Sequence, residues 1–139
     1  MRLVIDTNIL ISALLTATSL PAHLIVLWRE GWFDLLTSAD QLDELMRVTR
    51  YPKIRERLAP ALAGRLINEV RDLAVQLTEL PIITVSPDPQ DNYLLAMAIS
   101  GSADFLVTGD KRDLLVLRLF EGTKIITVRD FLVLHRRMP

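Results

Sequence analysis

The chain has 139 residues, 50% hydrophobic and 24% charged, a size and composition that suit one domain with a substantial core. It has no cysteine, which excludes disulfides, thiolate metal sites and cysteine nucleophiles and fits a reducing, cytoplasmic setting. The 16 basic and 17 acidic residues leave a net charge of −1, so the basic excess of a nucleic-acid binder is missing from the total and the distribution has to be read instead.

No basic, apolar leader with a cleavage site opens the chain. The apolar runs are too short and too interrupted to span a bilayer, so no membrane association is expected. Leu3-Val4-Ile5 is apolar without alternation, the mark of a strand buried on both faces of a parallel sheet. Asp6 then stands where that strand leaves the sheet, the edge at which α/β sheets bind ligands. Residues 9–15 predict a short helix capped by Thr7 or Asn8. Ser19 predicts the next N-cap with Pro21 in the first turn, and Gly31 ends that helix.

A second strand is predicted over 32–36. Ser38 and Gln41 then form a capping-box pattern, followed by a helix with Leu42, Leu45, Met46 and Thr49 facing inward. Pro52 ends it near Tyr51. Residues 53–58 read as a charged connector or short helix. Residues 60–77 carry the clearest helical stripe: Leu62, Leu66, Ile67, Val70, Leu73, Ala74 and Leu77. Residues 81–85 suggest a short extended piece. Asp88 as N-cap and Pro89 at the first helical position open a helix that closes at Gly101. A strand over 103–107 leads into Thr108-Gly109-Asp110. A short helix or turn over 114–119, a strand over 125–128 and a helix over 130–136 complete the chain. Strands alternating with helices predict one three-layer α/β/α domain, residues 1–139, with a mainly parallel central sheet.

Three acids fall at or near the carboxyl edge of such a sheet: Asp6 after the first strand, Asp110 after the third, and Asp91 in the first turn of the helix before it. Glu44 lies on the helix that leaves the second strand. Carboxylates within about 4–6 Å of one another repel and need a cation. A hard, oxygen-seeking ion such as Mg²⁺ or Mn²⁺ meets that need and activates water on a phosphodiester. His23 and His135 lie inside helices, away from the acids. Each acid also has an ordinary explanation. Asp91 suits a helix dipole, Glu44 can pair with Arg47, and Asp110 suits a turn. Asp6 is the hardest to explain that way, because an acid beside a buried strand needs a partner; Asn8 is either a helix cap or its support.

These residues resemble the PIN-domain family, in the branch of VapC-like toxins of toxin–antitoxin systems. The matching pieces are Val4-Ile-Asp6-Thr-Asn8-Ile-Leu10, Ser38 with Glu44-Leu45, Asp88-Pro-Gln-Asp91-Asn92, and Ala103 to Lys111 followed by Asp113-Leu-Leu. The resemblance implies a Mg²⁺- or Mn²⁺-dependent ribonuclease with a catalytic quartet of Asp6, Glu44, Asp91 and Asp110. Asp6, Asp91 and Asp110 would be the metal ligands, and Glu44 would orient water or hold a second ion. Asn8, Ser38 and Thr108, with Thr7, would be polar supports, and Asp88 and Asp113 secondary acids. Lys111-Arg112 stand before Asp113 where the family more often has one residue fewer. The product would carry a 5′-phosphate. A cognate antitoxin and a homodimer are likewise implied.

RNA needs a basic approach. Lys111 and Arg112 adjoin Asp110, and Arg47 and Arg50 begin a cationic run that ends at Arg57, which reads equally as a solvated connector. Two other readings compete. One is a non-cleaving PIN-like domain that binds RNA or a partner. The other is an aspartyl-phosphate phosphatase, against which Asn8 stands where the general acid would be needed.

Overall fold

The computed structural model describes residues 1–109 and 112–138. Asp110 and Lys111, both expected at the site, lie outside the described residues. Six strands, β1 (Arg2–Ile5), β2 (Asp34–Ser38), β3 (Val75–Leu77), β4 (Phe105–Thr108), β5 (Leu119–Phe120) and β6 (Thr123–Thr127), form one sheet in the order β3-β2-β1-β4-β6-β5. Every pairing is parallel except β5 with β6. The helices are α1 (Thr7–Leu15), α2 (Leu20–Arg29), α3 (Ala39–Val48), α4 (Pro52–Arg55), α5 (Pro60–Leu73), α6 (Pro89–Ser100), α7 (Arg112–Leu115) and α8 (Val128–Arg136). The three-layer α/β/α architecture with a mostly parallel sheet is the one expected.

The central strands show why their sequences do not alternate. Leu3 and Ile5 pack on one face with Leu35, Phe105 and Val107, against Leu10, Leu24, Leu45, Leu66 and Phe131 from the helices. Val4 packs on the other face with Leu36 and Leu106, against Leu94, Leu95 and Met97 of α6. Both faces are covered, so the inner positions of the central strands are apolar without alternation.

The chain runs from β1 outward to β2 and β3, then returns to place β4 on the other side of β1. The strand order therefore reverses between β1 and β4. Ligand sites of α/β sheets lie at the carboxyl ends of the strands at such a reversal, and here Asp6 and Thr108 stand on its two sides.

Several local expectations are corrected. Asp6 itself caps α1, its carboxylate accepting from the Asn8 backbone N–H at 3.1 Å, so Thr7 and Asn8 are already helical. The second strand starts at Asp34 because its register is set by pairing with β1, Arg2 opposite Asp34. Ser38 does cap α3 through the Gln41 N–H, but the Gln41 side chain does not return to it as a capping box would. It crosses instead to β1, donating to the Ile5 carbonyl at 2.7 Å.

The long helical stripe stops at Leu73; beyond it, Val75 and Leu77 continue as a strand beside β2 and pack toward α6. Leu62 and Leu73, placed on the buried stripe by periodicity, are 43% and 68% exposed. Residues 81–85 form no regular element. β5 was not expected. It joins β6 through Glu121 and Gly122, both at positive φ, the geometry of a tight hairpin turn. No single helix among the described residues is long and apolar enough to cross a membrane.

Candidate active site

Asp6 is almost fully buried between the end of β1 and the first turn of α1. One carboxylate oxygen takes the Asn8 N–H; the other takes the Thr108 hydroxyl at 2.9 Å. Thr108 is the last residue of β4 and is wholly buried. The two strands on either side of the reversal point are thus joined by a charge-assisted hydrogen bond at their carboxyl ends. Asn8 contributes through its backbone, and its side chain is exposed.

Glu44 is buried on α3. The Tyr93 hydroxyl lies 3.0 Å from its Oε1 and also 3.0 Å from the Thr7 hydroxyl. An ionised carboxylate only accepts, so the single phenolic proton goes to Glu44 and Thr7 must donate to the phenol oxygen. The relay runs from Thr7 through Tyr93 to Glu44. Thr7 directly follows Asp6, so the two acids are tied to one another through α1 and α6. Burial pushes the Tyr93 phenol well above its ordinary pKa. The Thr7 hydrogen bond opposes that rise, while the charges of Glu44 and Asp6 add to it. The phenol therefore stays neutral and able to donate.

On its outer side, Glu44 Oε2 stands 3.9 Å from the Arg47 guanidinium, which is about half exposed. A cleft of about 330 Å³ opens here, with Glu44, Arg47 and Tyr93 among its walls. Among the described residues, Arg47 is the expected RNA-contacting cation that borders an acid of the quartet. Arg50 faces elsewhere, lining a separate cavity of about 210 Å³ with Arg55 and the start of α5. Arg112 is exposed on α7, by a depression that it shares with Val116 and Arg118.

Asp91 lies buried in the first turn of α6, the end of that helix nearest the carboxyl edge of the sheet. Its Oδ2 accepts from the Ser86 hydroxyl at 3.1 Å. Ser86 is fixed in turn by two hydrogen bonds with the Asn92 side chain. Asp91 thus does more than complement a helix dipole, as an acid that served only the dipole would sit in solvent. Asp88 caps α6 through the Gln90 N–H and is exposed. Asp113 is exposed in α7. Ser38 caps α3 and donates its hydroxyl to the Met97 sulfur at 3.4 Å.

Two residues that hold acids, Tyr93 and Ser86, and one that holds the strand end before Asp6, Gln41, are not singled out by the sequence. Tyr93 carried a signal of sorts, a polar-tipped aromatic two positions after Asp91. Ser86 stands two residues before the Asp88 cap and carries no signal in the sequence that sets it apart. Gln41 was assigned to a capping box, whereas its amide is wholly buried and accepts from Thr37 at 2.8 Å while donating to Ile5.

Among the described residues, no three His, Cys, Asp or Glu side chains are close enough together to hold a metal ion. The expected donor set includes Asp110, which is outside them. The chemistry of the donors that are described does suit a hard cation: carboxylate oxygens, buried, with no imidazole or thiolate in the expected set.

The chain matches an uncharacterized protein of Methanocaldococcus jannaschii, 29% identical over 139 residues that cover 99% of this chain and 85% of the relative. A family model described as the PIN domain matches residues 2–112, from the first residue of β1 to the first residue of α7. That span includes the sequence positions of Asp6, Glu44, Asp91 and Asp110, and the protein belongs to the PIN domain family.

Proposed function

We propose that the protein is a divalent-metal-dependent endoribonuclease and the toxin of a toxin–antitoxin pair. PIN domains are generally nucleases, so a hydrolase acting on nucleic acid is the class to which the family points. The observation that carries the finer reading is the joining of two buried acids at the strand reversal. Asp6 is held by Thr108, and Glu44 is tied back to the residue after Asp6 through Tyr93 and Thr7.

Asp6, Asp91 and Asp110 are the residues that would hold Mg²⁺ or Mn²⁺. When bound, the ion supplies charge neutralisation to the phosphodiester and acidity to a water molecule. The rest falls to the chain. Asn8 N–H and Thr108 fix both oxygens of Asp6, and Ser86 fixes one oxygen of Asp91. Glu44 orients the attacking water from the floor of the cleft, and Arg47 meets the substrate phosphate at its mouth. Attack in line with the 3′ oxygen leaves a 5′-phosphate. Lys111 and Arg112, which follow Asp110 in the sequence, are the further cations proposed to meet the RNA. An antitoxin and a second copy of the chain are the proposed partners.

The test is cleavage of RNA with Mg²⁺ or Mn²⁺ by the native protein and by Asp6→Asn. The asparagine variant should lose cleavage while keeping its hydrogen bonds to the backbone and its fold. Equal cleavage by both would overturn the site. For the toxin role, expression should arrest growth, and co-expression of a neighbouring small gene should restore it; growth without arrest would remove that role.

A further inference from the structure

We propose that Tyr93 is a positioning residue for this reaction, fixing the Glu44 carboxylate relative to Asp6 through a one-way hydrogen-bond relay from Thr7. The inference rests on the nuclease reading and specifies how Glu44 does its work within it.

The geometry leaves the relay a single direction. Tyr93 has one proton, and its oxygen is 3.0 Å from Glu44 Oε1 and 3.0 Å from Thr7 Oγ1. Since the carboxylate cannot donate, Thr7 must. The three residues come from three elements: Thr7 opens α1, Glu44 sits in the last half of α3, and Tyr93 lies near the start of α6. None of the backbone contacts of α3 places the carboxylate itself, and a glutamate side chain has three rotatable bonds. Its other neighbour is Arg47, 3.9 Å from Oε2 and on an exposed stem. Without the phenol, Glu44 is free to swing toward Arg47 and out into the cleft. With it, one oxygen is anchored to the turn that carries Asp6, and the other is held facing Arg47 and the cleft, where it can orient water. Because Thr7 and Asp6 are adjacent, any shift of Asp6 is carried to Glu44.

The aromatic ring also packs, so the variant must keep it. Tyr93→Phe removes only the oxygen. Loss of a group that orients an active-site ligand typically costs about 10–100-fold, and that is the fall in kcat expected here. KM should stay within about twofold, since the substrate still binds where it did. In a Glu44→Gln background the same Tyr93→Phe change should cost nothing further, because the residue it acts through no longer works. Thr7→Val, which removes the donor at the head of the relay, should fall in the direction of Tyr93→Phe.

A second readout needs no activity. Crystal structures of the native protein and Tyr93→Phe should show the Glu44 carboxylate displaced in the variant. An unmoved Glu44 overturns the proposal. So does native cleavage by Tyr93→Phe, or an equal loss from Tyr93→Phe with and without Glu44, which would mark a merely structural tyrosine. Failure of the broader reading looks different: the native protein does not cut RNA, or Glu44→Gln cuts as well as it does, while Glu44 still moves when the phenol is removed.

Discussion

Replacing Thr108 with valine isolates the bond that joins the two central strands. Valine keeps the shape and the β-branch that suits a strand, so no cavity term and no loss of strand preference enters. What is lost is the hydroxyl that donates to Asp6 Oδ2 at 2.9 Å. Donor and acceptor are both inside the protein, at 0% and 2% exposure, so water does not replace the bond. Hydrogen bonds to charged groups contribute about 1.5–3 kcal/mol. With a loss of about 2 kcal/mol and roughly 4 °C per kcal/mol for a chain of this size, Tm should fall by about 8 °C. Thr108→Ser restores the donor and removes only a buried methyl, a loss of about 1 kcal/mol. The expected order of stability is therefore threonine, serine, valine, measured by calorimetric unfolding without divalent ions. A valine variant within about 1 °C of the native protein would refute the view that this bond holds Asp6, as would a serine variant less stable than valine.

Gln41→Ala should cost about 2–4 kcal/mol in urea unfolding, because it strips partners from the buried Thr37 hydroxyl and from the Ile5 carbonyl just before Asp6. A loss below about 1 kcal/mol would show that water or backbone takes over both groups. Gly101→Ala should lose about 1–2 kcal/mol by crowding, since a Cβ there would stand 2.5 Å from Leu36 Cδ1 and 3.1 Å from Leu77 Cδ2; an unchanged urea midpoint would mean that Leu36 moves aside freely. Tyr93 sets a pH dependence. Its phenol holds its proton more tightly folded than unfolded, so its contribution is complete below the unfolded value of about 10 and is lost as pH rises above it. Stability should therefore fall more steeply above about pH 10 in the native protein than in Tyr93→Phe, and parallel curves would contradict the burial argument.

Elements whose signal is local were legible in the sequence. Asp88 and Pro89 announced α6 because a cap and a proline act on their own turn. Ser19 and Pro21 did the same for α2. The non-alternating run of β1 announced a doubly covered strand, which is a consequence of burial that composition records. What was missed depended on pairing. Val75–Leu77 continued a helical stripe well enough in one dimension, but became β3 because β2 had an open edge beside it. β5 is two residues long and exists only against β6.

The same division runs through the site. That Asp6 is unusual could be read from its place after a buried strand, since an acid there demands a partner. The identity of that partner could not be read: Thr108 is 102 residues away and reaches Asp6 only because β4 pairs with β1. Glu44 on its own looked like half of a surface pair with Arg47, and Arg47 is indeed near it. Only the packing of α6 against the opening of α1 turned its carboxylate toward Tyr93. Sequence by itself determined the fold class, the position of the acids along it and most helix starts, because these follow from periodicity and caps within a few residues. The tertiary structure alone decided which hydroxyl holds which carboxylate, because those bonds are a few ångströms long between residues as much as 102 positions apart.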